Sequence, residues 1–143
     1  MTDGSFSLIE RLPTIEEHRA MFEALGWPPY APQAAAITLR NSLFCIVALR
    51  GDQVVGIRRV IGDGGVFFSI NDVAVLPELQ GQGIGTQIMD RLIAWIKANA
   101  PYAPFVSLFS TPVAREIYKR YGFAERREEL SGMWVVFGDV DNT

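Results

Sequence analysis

Three glycines alternate with other residues in Leu79-Gln80-Gly81-Gln82-Gly83-Ile84-Gly85-Thr86, just before a run with helical periodicity. Glycine lets backbone approach a ligand closely, and amides at a helix start converge at its positive end. Together these features make a phosphate cradle. The same residues would also serve a strand-to-helix turn needed only for tight packing, and a short glycine pattern does not separate the two. A nucleoside triphosphate loop needs a Lys-Ser/Thr pair after its last glycine, where this chain has Thr86-Gln87. The dinucleotide fingerprint would begin at Gly81, but Thr86 stands at its third glycine, and the strand near Phe105 ends on no acid that would hold a ribose. The loop also follows the fourth strand of the chain and not the first, which suits neither fold.

Other reactive side chains are few. Cys45 is the single cysteine and lies in an apolar run, so it makes no internal disulfide and reads as a small buried hydrophobe. His18, the single histidine, has no second His or Cys near it at ligand spacing. It reads as solvated or helix-capping, and no metal is expected. Arg58 and Arg59 are neighbours in a strand, so alternation puts one of them on the sheet's working face, to hold an anion or to form an ion pair. Phe22, Trp27 and Tyr30 would either line an apolar pocket or staple two early helices together.

The elements that position these groups follow from pattern. Thr14 with Glu17 three residues on forms a capping box, predicting a helix that stops at Gly26, and a second helix is expected over 32–42. Residues 44–50 and 53–61 are β-branched-rich runs joined by Gly51-Asp52, the chemistry of a hairpin. A strand over 66–75, a loop over 76–82 and an amphipathic helix over 84–98 come next, followed by a short strand over 105–109. A helix over 112–121 has Pro112 in its first turn and ends at Gly122. Residues 124–127 and 133–137 close the chain as strands. The order β-α-α-β-β-β-α-β-α-β-β predicts a three-layer α/β domain with a mixed sheet.

With 143 residues, 49% of them hydrophobic, one domain with one real core is expected. A net charge of −3 gives no electrostatic reason to expect nucleic acid as a partner. No apolar stretch approaches the roughly 18 residues of a spanning helix, and Met1-Thr2-Asp3-Gly4 lacks a signal-like start. A cytoplasmic protein with no membrane partner is the expectation.

Gln80-x-x-Gly83-x-Gly85 resembles the Q/R-x-x-G-x-G/A signature of the GCN5-related N-acetyltransferases, the GNAT superfamily. Asp72-Val73-Ala74-Val75-Leu76-Pro77-Glu78 resembles that family's fourth strand and its exit, and Ile117-Tyr118-Lys119-Arg120-Tyr121-Gly122-Phe123 resembles its closing helix end. Motif similarity covers roughly residues 53–123. The resemblance implies a GNAT-like fold with splayed fourth and fifth strands. Acetyl-CoA is the implied co-substrate and the primary amine of a small molecule the implied acceptor.

By that resemblance the main chain of Val73, Ala74 and Val75 flanks the pantetheine arm, and Gln80, Gly81, Gln82, Gly83, Ile84, Gly85 and Thr86 surround the pyrophosphate. Thr111 stands where many members have an asparagine that helps hold the arm, and its hydroxyl replaces part of that bonding. The amine attacks directly in a ternary complex, with no acyl-enzyme. Tyr118 matches the tyrosine that protonates the departing sulfur, or else it only packs on the sheet. Asp72 is the one carboxylate within the fourth strand. Partly buried, it would have a raised pKa suited to accepting the amine's proton through water, or it is a structural acid capping neighbouring backbone. The rival readings are a noncatalytic acyl-CoA sensor and an enzyme acting on protein lysine or N-terminal amines. Family habit also suggests a homodimer through the last strands.

Overall fold

The computed structural model describes residues 5–138, so Met1 to Gly4 of the signal-sequence reading lie outside it. The chain forms two compact units, one through Phe109 and one from Ser110 onward.

The first unit is built on a five-stranded sheet in the order β1-β2-β3-β4-β5. The strands are β1 (Ser7–Glu10), β2 (Phe44–Arg50), β3 (Gln53–Gly62), β4 (Phe67–Val75) and β5 (Phe105–Ser107). The first four run antiparallel and β5 joins β4 in parallel, so the sheet is mixed as the pattern predicts. Ile46, Val47 and Ala48 of β2 and Val55, Ile57 and Val60 of β3 are fully buried, which explains why these strands read as nearly continuous apolar runs.

Three helices cover the sheet: α1 (Ile15–Ala24), α2 (Pro32–Arg40) and α3 (Ile84–Asn99). The α3 helix buries Ile84, Ile88, Met89, Leu92 and Ile96. It comes so close to β3 that a Cβ on Gly56 would lie 3.1 Å from Ile88 Cδ1. Arg58 also faces α3, where its Nη1 donates to Met89 Sδ at 3.3 Å. Its neighbour Arg59 faces the other way and donates to the Thr38 carbonyl of α2 at 3.3 Å. The helices therefore lie on both faces, giving the three-layer α/β arrangement.

Local signals explain the boundaries. Both halves of the α1 capping box form, with Glu17 N donating to Thr14 Oγ1 at 3.1 Å and Thr14 N to Glu17 Oε1 at 2.9 Å. The β3–β4 turn is held by Asp63, whose Oδ1 accepts the amides of Gly65 and Val66 at 2.8 Å and of Phe67 at 3.1 Å.

In the second unit the expected helix over 112–121 is reduced to α4 (Arg115–Lys119). Its flanks are tight turns: Ala114 N reaches back only to Thr111 O, and the amides of Arg120, Tyr121 and Gly122 reach back three residues. The two closing strands expected over 124–127 and 133–137 are absent among the described residues. Residues 126–130 instead close a turn, with Glu129 N and Leu130 N both donating to Arg126 O. Met133, Trp134, Val135, Val136 and Phe137 have strand-favouring side chains but stand exposed. Propensity alone makes no strand without a ladder partner, and the segment presents no strand for the expected dimer contact.

Candidate active site

The glycine loop leaves β4 through a single 3-10 turn, Pro77–Leu79, and enters α3 at Gly83. Gly81 and Gly83 hold φ of 83° and 88°, left-handed values that favour glycine, and a Cβ at either would meet nothing within 4 Å. Their surroundings are open, so the backbone conformation is what requires glycine there. At Gly85 a Cβ would lie 3.2 Å from Arg58 Nη2, a tight contact that the guanidinium would have to yield to relieve. The first intrahelical bond is Gln87 N to Gly83 O at 3.0 Å, and the amides before Gln87 have no acceptor within the helix. Gln80 turns back on the strand, its Nε2 donating to the Val75 carbonyl at 3.1 Å.

One edge of β4 is left open toward this loop. β5 pairs only with Phe67, Phe68 and Ser69, so among the described residues the edge from Ile70 to Val75 has no strand beside it. The splay of the fourth and fifth strands that the resemblance implies is thus present. Val73, Ala74 and Val75 lie along the open stretch.

On the same stretch β4 carries a bulge. Ile57 pairs with Ala74 but Arg59 pairs with Asn71, leaving Asp72 and Val73 opposite Arg58. Asp72 takes up the extra residue with φ of 56°, a conformation uncommon outside glycine but tolerated by Asp. The bulge breaks strict alternation and sends the Asp72 side chain toward α1 and α2.

There it meets three donors from three elements. His18 Nε2 of α1 lies 2.9 Å from Asp72 Oδ2, and Arg59 Nε donates to the same oxygen at 2.6 Å. The Tyr30 hydroxyl donates to Oδ1. Arg59 is fixed in turn by donating from Nη1 to Ser42 Oγ at 2.9 Å. The His18, Asp72 and Arg59 side chains are only 3%, 5% and 4% exposed. The His18 ring is also wedged between Phe22 and Tyr30, with centroids 4.3 and 4.7 Å away.

This geometry corrects the electrostatic expectation for Asp72. Burial works to raise its pKa, but donation from His18, the Arg59 charge and the bonds from Tyr30 and Arg59 outweigh that and hold it below the usual carboxylate range. An acid so placed remains ionised and is a poor proton acceptor. Tyr30 moves oppositely: burial, then the bond to Asp72, pushes it up to about 12, so it stays a donor. Arg59 proves to be an ion-pair partner and not an exposed anion holder. Burial likewise pushes Cys45 up to about 12.

Beside the cluster lies a pocket of about 210 Å³ between α1, the following loop and α2, its walls including Ile15, His18, Pro29, Tyr30, Pro32 and Ala35. His18, expected from the sequence to be solvated or helix-capping, is instead buried. The available signal was spacing: His18, Met21 and Phe22 stand at i, i+3 and i+4, on the buried face of α1. Tyr118 and Thr111 belong to the second unit. Tyr118 is buried, and its ring meets Phe123 edge-on at 6.3 Å. Thr111 Oγ1 accepts the Ala114 amide at 3.4 Å, at the turn into α4.

Comparison with known proteins agrees with the loop and the open strand. Residues 21–139 match the Acetyltransferase (GNAT) domain family. A Probable Acetyltransferase from meticillin-resistant Staphylococcus aureus superimposes with a TM-score of 0.86 and 33% identity, over 93% of this chain and 100% of that one. A GNAT family acetyltransferase from Streptococcus pneumoniae does so with a TM-score of 0.76 and 26% identity, over 95% of this chain and 100% of that one. An uncharacterized N-acetyltransferase of Pyropia yezoensis is 26% identical over 122 residues, 82% of this chain and 69% of that protein. The chain belongs to the GNAT acetyltransferase family.

Proposed function

We propose that this chain transfers the acetyl group of acetyl-CoA to the primary amine of a small molecule, by direct attack in a ternary complex. The observation that carries this reading is the open edge of β4 from Ile70 to Val75, which leads straight into a glycine loop at a helix start.

The residues present suit the co-substrate. A pantetheine arm carries amides that can pair with the free edge at Val73 and Ala74 as an added strand would. The Val75 carbonyl already accepts from Gln80, so its part in such pairing falls to its remaining lone pair or its amide. Gly81 to Thr86 present backbone amides to a pyrophosphate, with open space at Gly81 and Gly83. Arg58, 6% exposed, puts a guanidinium beneath Gly85, against the positive end of α3. Acetyl-CoA, when bound, supplies an activated thioester carbonyl.

The protein's part is to place the amine and manage its protons. The amine nitrogen bonds to the acetyl carbon as the carbon–sulfur bond breaks, its electron pair leaving on sulfur. Tyr118, at its motif position four residues before Gly122, is the proposed donor to that sulfur. Asp72 is assigned an electrostatic role. The pocket beside the cluster, at about 210 Å³, is the proposed seat of a compact amine.

Thiol release across a panel of primary amines, with mass spectrometry of the enzyme, tests this reading. CoA should appear only when an amine is present, and the protein mass should not change. Acetyl transfer onto Cys45 would replace direct attack by an acyl-enzyme, and binding of acetyl-CoA with no amine-dependent release would favour the sensor.

A further inference from the structure

Among the groups that reach the acceptor pocket, His18 stands apart. Its Nε2 points at an ionised carboxylate, so in the neutral ring that nitrogen carries the proton and Nδ1 holds the lone pair. Among the described residues Nδ1 has no hydrogen-bond partner, and His18 is one of the residues that line the pocket. Asp72, its partner, lies on the open stretch of β4. A residue of the pocket lining is thus hydrogen-bonded to a residue of the open stretch. We propose that His18 is the general base of this enzyme, with Nδ1 taking the ammonium proton of a compact, largely apolar primary amine seated in the pocket. The inference rests on the acetyltransferase reading and deepens it.

Chemistry and surroundings both favour the assignment. Asp72 fixes the tautomer and orientation of the ring and stabilises the imidazolium that forms, the division of labour seen when a carboxylate backs a catalytic histidine. The groups facing His18 are Asp72 from β4, Arg59 from β3 and Tyr30 from the loop, with Glu16 and Arg19 of α1 at the exposed rim of the pocket. Tyr30 is held protonated and Arg59 is a permanent cation, so neither can accept the proton. Pro32 and Ala35 of α2 add only apolar surface. Ile15, Pro29 and the Tyr30 ring suit the carbon body of the amine, leaving its nitrogen toward the imidazole. The balance closes: one ammonium proton passes to Nδ1 and on to solvent, and the second N–H proton, lost as the amide forms, ends on the CoA sulfur.

The substitution His18→Gln keeps an N–H that can donate to Asp72 but removes the proton acceptor. In the full-length chain we expect thermal stabilisation by acetyl-CoA to match that of the native protein, which shows that fold and co-substrate site survive. Turnover of phenethylamine at neutral pH should fall by about 100-fold or more, the usual contribution of a positioned base. Turnover of aniline, already neutral at that pH, should change far less. The acid limb of the native pH profile should vanish in the variant, leaving a rate that climbs only as phenethylamine loses its own proton. Because His18 is the single histidine, its ring resonances can be followed without assignment, and phenethylamine added with CoA should shift them. An equal loss with both amines, an unchanged acid limb, or ring resonances that phenethylamine leaves unmoved would overturn the proposal. Absence of any acetyl-CoA stabilisation in the native chain would instead defeat the acetyltransferase reading, and this inference with it.

Discussion

Neutralising residue 72 shows how the buried cluster is held. In Asp72→Asn the Arg59 guanidinium stays inside the protein without its counter-charge. Removing one member of a buried, hydrogen-bonded ion pair costs about 3–5 kcal/mol. For a chain of this size that is a fall in melting temperature of roughly 10 °C or more. The pH dependence has a defined sign. Asp72 has a lowered folded pKa, so the unfolded state binds its proton first, and stability rises with pH through that window. Its contribution is complete above the unfolded value of about 3.9 and is lost as pH falls through the folded one. The variant should lose this part of the acid-side slope while keeping the parts from Glu17, lowered by its bond to Arg11, and from Asp63 and Glu116, also lowered. Melts from pH 3 to pH 7 check this, and a native-like acid slope in the variant would remove Asp72 from the account. At this scale the sequence was only partly legible. The glycines could be read because left-handed backbone selects them by type. The partners of Asp72 could not, since His18 is 54 residues away in the chain and the bulge that turns the acid toward it has no local signature.

Elements were more legible than their ends. The hairpin β2–β3, the capping box of α1 and the start of α3 follow from local chemistry that needs no partner: Gly-Asp at a reversal, Thr and Glu three apart, glycine before an apolar stripe. The last two predicted strands failed because a strand exists only with a neighbour, and residues 126–130 spend their backbone groups on a turn. The turn that precedes β4 shows how strict local geometry can be. Gly62 has φ of 151°, and a Cβ there would lie 2.0 Å from the Phe67 carbonyl oxygen, a backbone atom with no room to yield. Gly62→Ala must break the Asp63 turn or shift the start of β4. Left-handed strain of this kind costs of order 1–3 kcal/mol, and the clash adds to it. A melting temperature lowered by roughly 5 °C or more is expected. An unchanged one would mean that the turn does not pin β4.

For the whole molecule, the three-layer mixed sheet could be read from element order, because helices must cover both faces of strands that are apolar on both faces. The family match over residues 21–139 runs through both compact units. Among the described residues no helix is long and apolar enough to cross a membrane, and no cluster of His, Cys, Asp and Glu is set to hold a metal ion. The central claim is that the open edge of β4 and the glycine loop together bind acetyl-CoA. It is tested most directly by thermal melting with acetyl-CoA, CoA, ATP and NAD in separate samples, for the native chain and for Gly83→Glu. A ligand that binds only the folded state raises the melting temperature with the logarithm of its saturation. A rise is expected with acetyl-CoA and CoA, none with ATP or NAD, and loss of the rise in Gly83→Glu, where a carboxylate enters the cradle. No shift with either CoA species at millimolar concentration would contradict the claim and leave the glycines as a packing turn.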